Sequence, residues 1–224
     1  MASPDAAALP RISMAGAGAI LLDGAGGEFD LDVQRRVLTV AKAVRAIPSV
    51  RAAVPGMNNL MVIFDPLDVA PEWIESQVLR LWGTCVLDAV AAREIVIPVV
   101  YGGSAGEDLP DLARHCGLSV DEVIRLHAAA AYSVAAVGAM PGFPYLSGLD
   151  RRLARPRRAN PRSRVPAGSV IIGGAQAGIM PCMAPSGWHI IGRTGLTLFD
   201  PRREPPATLK PGDSVRFEVT RVDS

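Results

Sequence analysis

Ser169-Val170-Ile171-Ile172-Gly173-Gly174-Ala175-Gln176-Ala177-Gly178-Ile179-Met180-Pro181 sets a short β-branched run against glycines and a closing proline. The run is too short for a helix, and the breakers around it predict a strand at Ser169–Ile172. The same texture continues downstream. Apolar runs at Trp188–Ile191, Leu196–Phe199 and Ser214–Thr220 are separated by Gly and Pro, the spacing of a small β-barrel or sandwich. Upstream, Glu94–Tyr101 reads as a β-branched strand. Ser119 with Glu122 forms a capping box for a helix running to about Ala129, and the helical signal stops after Tyr132–Val137.

The first half has a different texture. Short apolar runs between Arg11 and Leu22, broken by Gly16 and Gly18, suggest one or two strands ending at the turn Asp23-Gly24-Ala25-Gly26-Gly27. Asp30 or Asp32 can cap a helix in which Val33, Val37, Val40, Ala41, Val44 and Ile47 recur at helical spacing until Pro48. Val50–Val54 and Leu60–Phe64 form a hairpin around Pro55-Gly56-Met57-Asn58-Asn59. Asp68 to Trp82 is a second helix with Pro71 in its first turn. The order β-α-β-β-α is the split motif of ferredoxin-like α+β domains. The expected class is therefore α+β, with a domain over 1–88 and a β-barrel domain over 89–224 that includes a short helical insert near 108–129.

The 224 residues are 49% apolar and 20% charged, and no apolar stretch approaches the roughly 18–20 residues that span a bilayer. No charged start precedes an apolar core at the N-terminus, so the cytoplasm is the expected location. Cys85, Cys116 and Cys182 form no C-x-x-C pair and read as reduced, mostly buried thiols.

Charge is unevenly distributed. Arg151 to Phe199 contains eight arginines (Arg151, Arg152, Arg155, Arg157, Arg158, Arg162, Arg164 and Arg193) and not one carboxylate. Such a field suits a nucleotide phosphate, a carboxylate substrate or an acidic protein face. Nucleic acid fits poorly, because aromatics barely interleave with the arginines. The plain alternative is a solvated basic loop in a chain where arginine outnumbers lysine 21 to 2.

Gly102-Gly103-Ser104-Ala105-Gly106 fits G-x-S-x-G after a strand, as a nucleophile elbow should. Glu107-Asp108-Leu109-Pro110 then delays the helix, and two carboxylates would oppose an oxyanion, so a loop is the better reading. Neither Lys42 nor Lys210 follows a glycine, which excludes a P-loop, and no G-x-G-x-x-G is complete. His115, Cys116 and His127 are not spaced for a metal, and no metal site is expected.

The stretch Met140-Pro141-Gly142-Phe143-Pro144-Tyr145-Leu146-Ser147-Gly148-Leu149-Asp150 reads as a rigid loop presenting Phe143 and Tyr145. Further on, Gly173 to Pro181 and Ser186-Gly187-Trp188-His189-Ile190-Ile191-Gly192-Arg193-Thr194 offer glycines through which a ligand can approach the backbone. Gln176 and Thr194 can orient it, Trp188 can cover a planar face, and Arg193 can hold an anion in bidentate fashion. With Arg162, Arg164 and His189 these residues are the candidate ligand-binding set. No catalytic residue is assigned.

At these residues the chain resembles the family of the 5-oxoprolinase B subunit, also called allophanate hydrolase subunit 1 or the kinase A inhibitor family. The likeness rests on Met140–Asp150, on Pro161-Arg162-Ser163-Arg164-Val165-Pro166-Ala167-Gly168-Ser169-Val170, and on Ser186–Thr194 running into Leu198-Phe199-Asp200-Pro201. Weaker likeness takes in most of the chain after about Arg11. The resemblance implies a cyclophilin-like C-terminal barrel and work as one member of a hetero-oligomer with a carboxyltransferase-like C subunit, joined by an A subunit. Together they would open the lactam of 5-oxoproline to glutamate with ATP and Mg2+ bound at the level of the complex, this chain being inactive alone. Family names imply two alternatives: a component of a urea-degrading allophanate hydrolase, and an inhibitor of a sensor histidine kinase. The chain departs from the family pattern at Met180 (usually Tyr), His189 (commonly Gln), Ala175 (Gly), Ala184 (Ser) and Asn58-Asn59.

Overall fold

The computed structural model describes residues 9–27, 29–87 and 92–224. The chain divides into two compact units, Met1–Ala91 and Ala92–Ser224. The boundary expected between residues 88 and 89 lies outside the described residues.

In the first unit the strands are β1 (Arg11–Met14), β2 (Ala19–Asp23), β3 (Val50–Pro55) and β4 (Asn59–Phe64), with α1 (Leu31–Val44) between β2 and β3 and α2 (Pro71–Thr84) after β4. The sheet order is β1-β2-β4-β3, antiparallel throughout. Asp30 caps α1, its carboxylate accepting from the amides of Asp32 and Val33 at 2.8 and 2.9 Å. Pro71 opens α2, where its missing N–H leaves no bond unmade. Ile20, Leu22, Leu60, Val62 and Phe64 share one core with Val37, Val40 and Val44 of α1 and Ile74, Val78 and Trp82 of α2. The β-α-β-β-α order is present in β2 to α2. The other neighbour of β2, however, is β1, supplied by an N-terminal hairpin. Asn58 explains its place in the hairpin turn. It takes a left-handed φ of 55° that Asn tolerates, and its side-chain amide exchanges two hydrogen bonds with the Asp30 backbone, at 2.8 and 2.6 Å.

The second unit runs β5 (Glu94–Gly102), α3 (Leu109–Cys116), α4 (Val120–Ala129), β6 (Tyr132–Val137), β7 (Pro144–Ser147), β8 (Arg162–Val165), β9 (Ser169–Gly173), β10 (Gln176–Ile179), β11 (Ala184–Ser186), β12 (His189–Arg193) and β13 (Ser214–Asp223). Seven strands close a barrel in the order β10-β7-β6-β13-β5-β12-β9, while β8 and β11 pair separately. The barrel is of the cyclophilin-like kind, and the chain as a whole is α+β. Ile97, Val99, Val134, Leu146, Val170, Ile172, Ile191 and Phe217 fill it, with Leu112 and Val123 from α3 and α4 in the same cluster.

Several local expectations are corrected. Leu196–Phe199 is not a strand: Leu198 is buried as a plug, and only Phe199 makes a bridge, to Ala207. Pro144–Ser147, expected within a rigid loop, is a barrel strand between β6 and β10. The helix after Ser104 is delayed as expected: α3 begins only at Leu109, with Pro110 in its first turn, and Gly117 ends it at φ 66°. All three cysteines are free, and none is fully buried: Cys85 and Cys116 are half-buried and Cys182 is exposed.

Candidate functional site

Asp108 lies at the N-terminus of α3 and is almost fully buried. Its carboxylate accepts from Arg162 Nη1 and Nη2 at 2.7 and 2.9 Å, from Arg158 Nη1 at 3.0 Å and from the Ile190 amide at 2.8 Å. Its own amide donates to the Ile190 carbonyl at 2.9 Å. Burial alone would push the Asp108 carboxyl up. The hydrogen bonds from Arg162 and Ile190 and the nearby guanidinium charges outweigh burial and hold it below its usual range. One turn on, Asp111 accepts from Arg155 at 2.9 Å. A segment outside the carboxylate-free window thus supplies its counter-charges and ties α3, β8, β12 and the 150s loop together.

This pairing sorts the arginines. Arg152 pairs with Asp150, Arg155 with Asp111, Arg158 with Asp108, and Arg162 with Asp108 and Glu107. Arg162, a candidate anion ligand, makes an internal fork-to-fork pair with Asp108. Arg151, Arg157, Arg164 and Arg193 have no carboxylate partner among the described residues. Arg157 lies over the Trp188 ring, 5.5 Å from its centroid; the sequence places it in the window but gives no local signal that singles it out. The Arg164 Nε–H points at Met183 Sδ at 3.2 Å. Arg193 is exposed at the end of β12, and Asp200, an acid near it in sequence, pairs instead with Arg202 and Arg203.

The aromatic candidates are packing residues. Phe143 and Trp188 are 4% and 5% exposed and share a cluster with Val165, Ile171, Met180 and Ile190. Their rings meet edge-to-face at 5.7 Å, with Tyr145 against both. The glycines expected to admit a ligand make room for these rings. A Cβ on Gly173 would stand 2.5 Å from Trp188 Cδ2, and one on Gly178 2.9 Å from Phe143 Cζ. Met180, where the family pattern has Tyr, belongs to the same cluster.

His189 is 3% exposed. Its Nε2–H donates to the Pro156 carbonyl at 2.8 Å, which fixes the proton there and leaves Nδ1 as a lone pair. Burial pushes its pKa down, so it is neutral at pH 7. Thr194 is buried, and its Oγ1 accepts from the Leu196 amide at 3.2 Å, a turn contact. Gln176 sits opposite Gly173 on β9, whereas Arg193 sits opposite Ser169. Four strand residues, about 13 Å, separate those positions. The structure does not bring Gln176 and Arg193 together as joint ligand contacts.

Ser104 is exposed in a single 3-10 turn after β5, and no histidine hydrogen-bonds it among the described residues. His127 bonds Tyr101 instead, Nδ1 to Oη at 2.7 Å, deep in the core. The G-x-S-x-G match is a turn. What the arrangement offers chemically is four exposed arginines without acid partners among the described residues, Arg151, Arg157, Arg164 and Arg193, beside a network of ion pairs on the buried Asp108.

An antiparallel sheet-and-helix unit preceding a closed barrel whose rim is laced with arginine places this chain among two-unit α+β proteins built on a cyclophilin-like barrel. Residues 10–209 match the family described as carboxyltransferase domain, subdomain C and D, and the chain belongs to that family. The B subunit of 5-oxoprolinase from Escherichia coli O157:H7 is 49% identical over 185 residues, covering 82% of this chain and 84% of that protein. The protein of the same name in Haemophilus influenzae is 40% identical over 191 residues, covering 85% and 89%. The crystal structure of TTHA0988 superposes with a TM-score of 0.78 at 37% identity over 90% of this chain, which spans only 39% of that polypeptide.

Proposed function

We propose that this chain is the B subunit of a heteromeric, ATP-dependent 5-oxoprolinase. The supporting observation is the 49% identity, across most of both chains, to a protein named for that role. On this reading a carboxyltransferase-like C subunit and an A subunit complete the enzyme, and the assembly works in the cytoplasm. Opening a lactam requires a better leaving group on its carbonyl carbon and a counter-charge for the oxyanion that forms. Of the arginines unpaired among the described residues, Arg151, Arg157, Arg164 and Arg193, we assign Arg193, Arg164 and Arg157 to that charge or to the substrate carboxylate. ATP and Mg2+ belong to the assembled complex. Among the described residues no group of three or more His, Cys, Asp or Glu side chains is placed to hold a metal ion. The chain is inactive by itself, a reading that the side chains around Ser104 support. We also read the first unit as a ferredoxin-like domain in which β1, from the N-terminal hairpin, fills the edge beside β2 that a strand after α2 would otherwise take.

Co-expression with homologues of the A and C subunits tests the proposal. The expected result is a stable complex that releases glutamate from 5-oxoproline only when ATP is hydrolysed. Turnover of allophanate without 5-oxoproline would move the chain to the urea-degrading alternative. Failure to associate with the C subunit would overturn the assignment to such a complex.

A further inference from the structure

β13 is paired unequally on its two sides. Along β5 it is matched from Ser214 to Asp223, but along β6 only Ser214 and Val215 have partners. From Arg216 onward no strand lies on that second side among the described residues. The edge stays extended, and Val219 and Val222 are 42% and 47% exposed. They line an open groove of about 500 Å³ with Ile124, Ala128 and Ala129 of α4. A long open edge beside an apolar groove is a template for another strand.

The side chains specify which strand. A register shift between Val219 and Arg221 makes Thr220 an extra residue, held by its Oγ1 donating to the Val99 carbonyl at 2.8 Å. The bulge resets the alternation. Val219 and Val222 then line the groove on the strand face whose Phe217 is buried in the barrel core, and Arg216, Glu218, Arg221 and Asp223 share the other face. Read about a dyad between Val219 and Thr220, the segment Arg216-Phe217-Glu218-Val219-Thr220-Arg221-Val222-Asp223 is complementary to itself. In an antiparallel pair Arg216 faces Asp223, Glu218 faces Arg221, and Phe217 faces Val222. Each ion pair recurs across the dyad. Within one copy Glu218 has no ion-pair partner among the described residues. Arg221 and Asp223 bond only each other, at 2.6 Å on an exposed surface where such a pair contributes little.

We propose that β13 is a self-recognition edge, on which two copies of this chain join their barrels through antiparallel β13 strands, the Val222 of each laid against the other's α4 groove. Sedimentation velocity on the purified full chain, over a micromolar concentration series at low salt, is the test. The wild type should dimerise, more weakly as salt rises. Glu218→Arg opposes like charges at both symmetric positions, and Arg221→Glu does the same with acids. Each should weaken self-association at least about tenfold. An equimolar mixture of the two variants should form a dimer, because each then meets its opposite charge; this recovery separates the edge contact from a folding defect. A wild type that stays monomeric at hundred-micromolar concentration overturns the proposal, as does Glu218→Arg dimerising like wild type. A monomeric wild type whose binding to the C subunit is abolished by Glu218→Arg would assign the edge to a different chain, also against it.

Discussion

Replacing Asp108 by Asn tests whether the arginine rim is held by one buried carboxylate. The substitution keeps the shape and removes the charge that accepts three guanidinium hydrogen bonds and one amide bond. Removing one partner from a buried ion pair costs about 3–5 kcal/mol. Here the freed arginines are not sealed from water, since the Arg158 and Arg162 side chains are 32% and 22% exposed, and Glu107 still reaches Arg162 Nε at 3.2 Å. Solvation and that second acid lower the expected loss to about 2–4 kcal/mol, a fall in Tm of the order of 10 °C. The pH dependence has a definite sign. The Asp108 carboxyl is held below its ordinary range. Its stabilisation is therefore complete above the unfolded value near about 4 and is lost as pH falls through the folded one. Urea unfolding of both proteins between pH 7 and pH 3 should show a gap that closes on acidification. A loss below about 1 kcal/mol at pH 7, or a gap that persists at low pH, would refute the assignment of Asp108 as the rim's anchor.

His127, whose pKa burial pushes down to about 3, should make the wild type lose about 1.4 kcal/mol per pH unit as pH falls from about 6.5 towards 5, because only the unfolded chain takes up its proton; His127→Gln should flatten that limb in the same titration, leaving the contribution of His189. Arg193→Lys should reduce turnover of the assembled complex roughly 10- to 100-fold with melting and assembly unchanged, and normal turnover per assembled complex would remove Arg193 from the site. Ser104→Ala should leave both stability and turnover at wild-type level in steady-state assays, since its hydroxyl has no histidine to activate it.

Elements with local signals are legible in the sequence. The Asp30 cap of α1 and the Ser119 cap of α4 satisfy backbone groups within their own turn, and Pro71 at the start of α2 removes a donor that would have no partner, so their evidence lies within a few residues. Leu196–Phe199 fails for the complementary reason. Of its run only Leu198 is buried, and a strand requires a neighbour, which only Phe199 finds. The order in which seven strands close is likewise invisible to periodicity, because it is set by pairings such as β5 with β13 across more than a hundred residues.

The candidate site shows the same division between local and distant information. Eight arginines without a carboxylate are a fact of composition, and the inference that they seek a counter-charge is sound; whose charge they find depends on the fold. Asp108 lies 50 residues before Arg158 and 54 before Arg162, and no spacing rule joins them. Once those pairs are made, half the window is neutralised, and the cations still open to an anion reduce to Arg151, Arg157, Arg164 and Arg193. Glycine reads the same way. Gly173 and Gly178 do permit a close approach, but what approaches is Trp188 and Phe143 from within the chain. The acids and aromatics of this unit order the paired arginines and the core beneath them, whereas the four open cations stand exposed, so an anion they meet must itself order them, at a cost in side-chain entropy.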